Sequence, residues 1–266
     1  MLTQGKRSGK WAFPHLFAGT WLNKATFTDM KKIYAILTLV FTISFVVSPA
    51  LTSPFSGFRA DQLPVPQIDP PVQPEGYAFA IWGLIYGWLV VSAVYGIIKR
   101  ADSPEWNHAR PPLIISLAVG TPWLAVANAS AIWATVLIFV MAAGAIVALL
   151  RAPRKHRWFF KVPVGIYAGW LTAASFVSLG STAAGYGIGP AAQGWAYIGI
   201  TGALIVAIAI LQRAKSPAYG LTVIWALVGI IVANGTVNVT VSALAAVGAL
   251  VLLGLIARIR VSLTPS

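Results

Sequence analysis

Eight apolar stretches, each close to the length a helix needs to cross a bilayer, set the architecture of this chain before any single residue is weighed. They run over 33–51, 76–98, about 112–127, 131–150, 162–179, 195–211, 217–233 and 237–256. A hydrocarbon core about 30 Å thick takes roughly 20 residues of α-helix. The apolar run from Pro112 to Leu150 is too long for one crossing, and Asn128-Ala129-Ser130 is the break that makes it two. Runs of this length exclude an outer-membrane barrel, whose strands alternate over about ten residues. Only 9% of the 266 residues are charged, where a soluble domain carries roughly 25%. The fold class expected is therefore all-α, a polytopic membrane helix bundle with eight transmembrane helices.

The placement of charge tests that count. With the amino terminus on the cytoplasmic side, eight crossings put every lysine and arginine inside except Arg59. Basic residues concentrate on the cytoplasmic side of membrane proteins. The expected location is a bacterial inner membrane with both termini cytoplasmic, the lipid bilayer itself being one partner. The net charge of +13 is then topological and implies no nucleic acid. Residues 1–29 interleave Lys6, Arg7, Lys10 and Lys24 with Trp11, Phe13, Phe17, Trp21 and Phe27, a pattern suited to a cytoplasmic or interfacial segment. The chain has no cysteine, so thiolate metal sites and disulfides are ruled out.

Proton relays and metal sites in membranes need ionisable residues within the spans. None of the eight spans carries one in its middle, and His15, His108 and His156 fall in the tail or in cytoplasmic connections. Glu75, at the head of the second span, is the one candidate general acid or base, and the helix dipole already accounts for a carboxylate there. An enzyme is accordingly not the expected class. Neutral aromatic walls suit an apolar planar ligand instead. In the second span Phe79, Trp82 and Tyr86 share a helical face with Gly83 and Ala93, while Tyr77, Trp88 and Tyr95 share the other. In the fifth, Pro163, Tyr167, Trp170, Ala174 and Ser178 form a stripe; the third adds Trp123, one turn from Gly120. Helix packing explains such stripes equally well.

These residues carry a resemblance. A proline-bounded loop, the stretch PEGYAFAIWGLIYG with its W-x-x-x-Y, a third-span tryptophan and IYAGWLTAA with its Y-x-x-W-x-x-x-A resemble the tryptophan-rich sensory protein and mitochondrial translocator (TspO/MBR) family, in a long bacterial form. The resemblance covers about 33–180, which implies a five-helix core over 30–180 followed by three additional helices over 181–266. It implies a pocket near the first loop that binds a porphyrin, another tetrapyrrole or a sterol-like molecule, often in a homodimer. Phe79, Trp82, Tyr86, Trp123, Tyr167, Trp170 and Ala174 are the ligand-binding candidates. Gly120 and Ser178 stand where the family pattern has asparagine, and Phe79 and Trp82 are one residue closer than usual. The function expected is a sensor or regulator that binds a hydrophobic planar molecule. A carrier for a neutral or hydrophobic solute, and an assembly subunit beside pigment-bearing membrane partners, are the alternatives.

Overall fold

The structure, a computed structural model, describes residues 19–261, and their side chains from Lys32 on. The expectations for residues 1–18 lie outside the described residues. Eight α-helices follow in order: α1 (Gly19–Val47), α2 (Ile81–Arg100), α3 (Pro104–Ala129), α4 (Ala131–Leu150), α5 (Lys161–Gly185), α6 (Ala192–Ala214), α7 (Pro217–Asn234) and α8 (Val239–Val261). All eight are long and apolar enough to span a membrane. The chain is thus an all-helical, multi-pass membrane protein. α1 begins at Gly19, well before the apolar run, because neither proline nor a further glycine interrupts the stretch up to Val47.

α5 is the hub of the bundle. Its most apolar stretch is 72% buried, against 28% to 50% for the others. It packs on α4, α6, α7 and α2, while α3 bridges α1 to α4 and α8 closes against α6 and α7. Lipid tails are as apolar as leucine, so helices in a bilayer associate through close packing and buried polar contacts. Both devices are present. Gly165 and Gly169, four residues apart on α5, face α7, and a Cβ on Gly169 would lie 2.5 Å from the Tyr219 carbonyl oxygen. Beside them the Tyr219 hydroxyl is 3.0 Å from Thr172 Oγ1.

One end of the bundle gathers every described basic residue except Arg59, as alternating helix directions require. There the 151–160 connection lies along α2, with Tyr95 stacked on Phe159 at 4.0 Å and Trp88 on Trp158 at 6.0 Å. His156 contacts Tyr95 and Arg100 in the same layer.

Arg110 corrects the sequence reading. The stretch Ala101 to Pro111 reads as a polar loop, but α3 starts at Pro104, with Ser103 at the cap position, proline in the first turn and Glu105 beside it. Arg110 therefore turns inward and is 1% exposed. It donates to the carbonyl oxygens of Gly96 at 2.9 Å and Ala101 at 3.1 Å, and to Asn107 Oδ1 at 2.6 Å. Its guanidinium also lies 5.5 Å from the Trp106 ring centre. Gly96 leaves room for this group, since a Cβ there would come within 3.1 Å of it. Arg110→Leu is expected to lower stability by about 2 kcal/mol, because buried carbonyls lose charged donors. Thermal unfolding in detergent reads this, and a melting curve unchanged from wild type would refute the bridging role.

Candidate functional site

At the opposite end the connection 52–80 folds over the helix tips and is tied down on three sides. Gln62 Nε2 donates to Ala127 O and Asn128 Nδ2 to Ser53 O, fixing its first part to α3. The Val65 amide donates to Gly185 O on α5. Its last part belongs to α7: the Glu75 amide donates to Gly229 O, Asn234 Nδ2 to Pro71 O and Trp225 Nε1 to Ala78 O. Gln73 Nε2 closes the loop on itself through Ser56 O. Gly57 sits beside that glutamine at a φ of +133°, where a Cβ would clash with the amide at 2.6 Å. Further out, Arg59 binds Asp61 and holds its carboxyl below the ordinary range. Both side chains are well exposed, so the pair contributes little to stability.

Beneath this cover lies a cavity of about 60 Å³. On the same measure a water needs about 10–15 Å³, so it holds a few small molecules' worth of space and no large ring system without rearrangement. Its floor is aromatic. Trp170 meets Phe79 edge-on at 5.7 Å and Trp82 at 6.2 Å. Trp123 is capped by Phe55 at 5.3 Å.

Five of the seven candidate residues line the cavity: Phe79, Trp82, Trp123, Trp170 and Ala174. Tyr86 and Tyr167 do not reach it. Tyr86 stacks behind Trp82 at 5.2 Å, and the Tyr167 hydroxyl is taken up at 3.0 Å by Ser116 Oγ. Between them sits Phe45 of α1, edge-on to Tyr86 at 5.4 Å and tilted against Tyr167 at 5.6 Å. Phe45 explains Gly120: a Cβ there would lie 2.8 Å from its ring, so an asparagine side chain has no room. Gly83 faces open space, away from the cavity. The other aromatic face of the second span works elsewhere, with Tyr77 against Trp225 and Trp88 and Tyr95 against the 151–160 connection.

Sequence reasoning missed the cover and the polar groups. Phe55, Phe58 and Gln73 reach in from the loop, and Ser181 and Ala226 complete the wall from α5 and α7. The pair Phe55-x-x-Phe58 inside a proline-rich connection was the available signal. The polar atoms divide into engaged and unengaged. Trp123 Nε1 donates to Ala134 O at 2.9 Å, and Ser178 Oγ is 2.7 Å from Thr135 Oγ1. Trp170 Nε1 and Ser181 Oγ have no hydrogen-bond partner, although the residues are only 2% and 4% exposed. A buried polar group without a partner costs about 1–3 kcal/mol, and the residues that carry these two both line the cavity.

A family model described as TSPO-like protein matches residues 32–258. The chain belongs to the TSPO-like family. The match runs through all eight spans, including α6 to α8, so the family pattern extends to α7, which anchors the loop above the cavity. No curated protein and no solved structure matches the chain.

Proposed function

We propose that this TSPO-like protein binds a hydrophobic planar molecule, a tetrapyrrole such as a porphyrin or a sterol- or isoprenoid-like compound, in the loop-covered cavity, and acts as a sensor or regulator. The observation that carries this reading is the pairing of an aromatic wall with two unpartnered donors, Trp170 Nε1 and Ser181 Oγ. Aromatic faces take the apolar body of a ligand, and a few fixed polar groups orient its acceptors. A large ligand needs more than the present 60 Å³, so binding requires Phe55, Phe58 and Gln73 to move aside. All three are half-buried side chains of a connecting loop, the kind of segment in which local opening costs least. The basic end of the bundle supports an orientation with both termini in the cytoplasm, in our reading of a bacterial inner membrane, and the cavity then opens toward the outer side.

The test is a titration of the purified protein with protoporphyrin IX, followed by tryptophan quenching. Wild type is expected to saturate. Ala174→Trp, which fills the cavity from α5, is expected to weaken binding at least about tenfold. Equal saturation curves for the two proteins would sink the assignment of the ligand to this cavity.

A further inference from the structure

The basic end of the bundle holds a second, larger crevice of about 600 Å³, where the amino-terminal ends of α5 and α7 lie side by side. Its charged wall is Arg157, Lys161 and Arg260, and its apolar wall includes Trp88, Trp158 and Leu221. Trp88 and Trp158 bound it on the side of α2. The two tryptophans are fixed: their rings stack within 8° of parallel, and Trp88 Nε1 donates to Trp158 O at 2.9 Å.

The electrostatics of this crevice are unbalanced. Lys161 is the first residue of α5, where the helix dipole disfavours a cation. The charged groups that act on it are Arg157, Arg154 and Lys215, all cations. Neither α5 nor α7 has an acidic residue in its first turn. Ser216, at the cap position of α7, lines the crevice while only 2% exposed, and its hydroxyl makes no capping bond. Cations, two helix amino termini and a hydroxyl not spent on capping all suit the same ligand, a multivalent oxyanion such as phosphate. Leu221 lines the crevice and is 45% exposed. With Trp88 it offers apolar surface beside the cations, which suits an anion that carries an apolar tail.

We propose that this crevice binds an anionic phospholipid of the inner leaflet, its phosphate between Arg157, Lys161 and the Ser216 hydroxyl and its acyl chains along Trp88 and Leu221. A general inside-positive bias does not produce this: Arg213 and Arg258 share the same end and line no part of the crevice. The site is separate from the loop-covered cavity, so it stands or falls independently of the ligand bound there.

Native mass spectrometry of the full chain tests it, after delipidation in a neutral detergent and incubation with phosphatidylglycerol and phosphatidylcholine of matched chains. Wild type is expected to retain phosphatidylglycerol with a preference of at least about fivefold, the factor that one cation near an anionic lipid supplies. Arg157→Gln with Lys161→Gln is expected to abolish the preference, and Lys161→Gln alone to reduce it. Arg213→Gln with Arg258→Gln is expected to leave it intact. Equal retention of the two lipids by wild type, or equal loss in the control pair, overturns the site. Glycerol 3-phosphate added in excess separates the sources: failure to displace the lipid supports a lipid site, and full displacement overturns it in favour of a soluble phosphate. Unchanged elution and helical circular dichroism confirm that the variants remain folded.

Discussion

Gly169→Leu is expected to yield no monodisperse protein, and Gly169→Ala a protein less stable by about 1–3 kcal/mol. A Cβ at this position lies 2.5 Å from Tyr219 O and 3.0 Å from Thr222 Cβ. Its closest neighbour is backbone, so no rotamer change on α7 relieves that clash. α5 and α7 must move apart instead. That movement strains the Thr172–Tyr219 hydrogen bond and opens a seam of the most buried helix, where no hydrophobic driving force pushes the helices together again. Gly83→Ala on α2 is the control, since nothing lies within 4 Å of the added methyl. There the only effect is on helix propensity, and a gain of about 0.5–1 kcal/mol is expected. Thermal unfolding in detergent with light-scattering detection distinguishes the two. A Gly169→Ala protein as stable as Gly83→Ala would show that the helices do not meet at this glycine.

Trp170→Phe and Ser181→Ala are expected to separate stability from binding. Each removes a buried donor that has no partner in the unliganded protein. Unliganded stability should therefore hold within about 1 kcal/mol of wild type, and for Ser181→Ala it should rise. Affinity should move the other way. If the ligand accepts a hydrogen bond from the indole, Trp170→Phe weakens protoporphyrin IX binding by about fivefold, one neutral hydrogen bond's worth. The shift of the porphyrin absorption band reads this better than fluorescence, which loses a reporter with the tryptophan. Unchanged affinity in both variants would remove these donors from the site, whatever else binds there.

Much of this was legible in the chain itself. The 3.6-residue period and bilayer thickness fix helix count, and α4 falls over 131–150 as read from Asn128-Ala129-Ser130 and Leu150. Trp82, Trp123 and Trp170 line one cavity, but the stripes alone did not say so, since helix packing explains them equally well and the resemblance was what grouped them. Tyr86 and Tyr167 were not separable from them by periodicity. They share the stripes but sit one layer deeper, where Phe45 fills the space that Gly120 leaves. Arg110 was misread for a similar reason. Local sequence shows a proline pair and polar neighbours, whereas its burial depends on Gly96, on a different helix. Phe55, Phe58 and Gln73 belong to a loop, and loops have no period from which a facing direction is read.

The three hydrogen bonds from α7 to the stretch between Pro71 and Ala78 bear on how this molecule divides. A chain ended after α5 would keep all seven candidate residues yet leave Pro71 O, Ala78 O and the Glu75 amide without the partners they have here. The aromatic wall and its cover thus depend on different stretches of polypeptide, the first on residues before α6 and the second on α7 as well. A miniature of the protein would keep most of the cavity wall and lose its door frame.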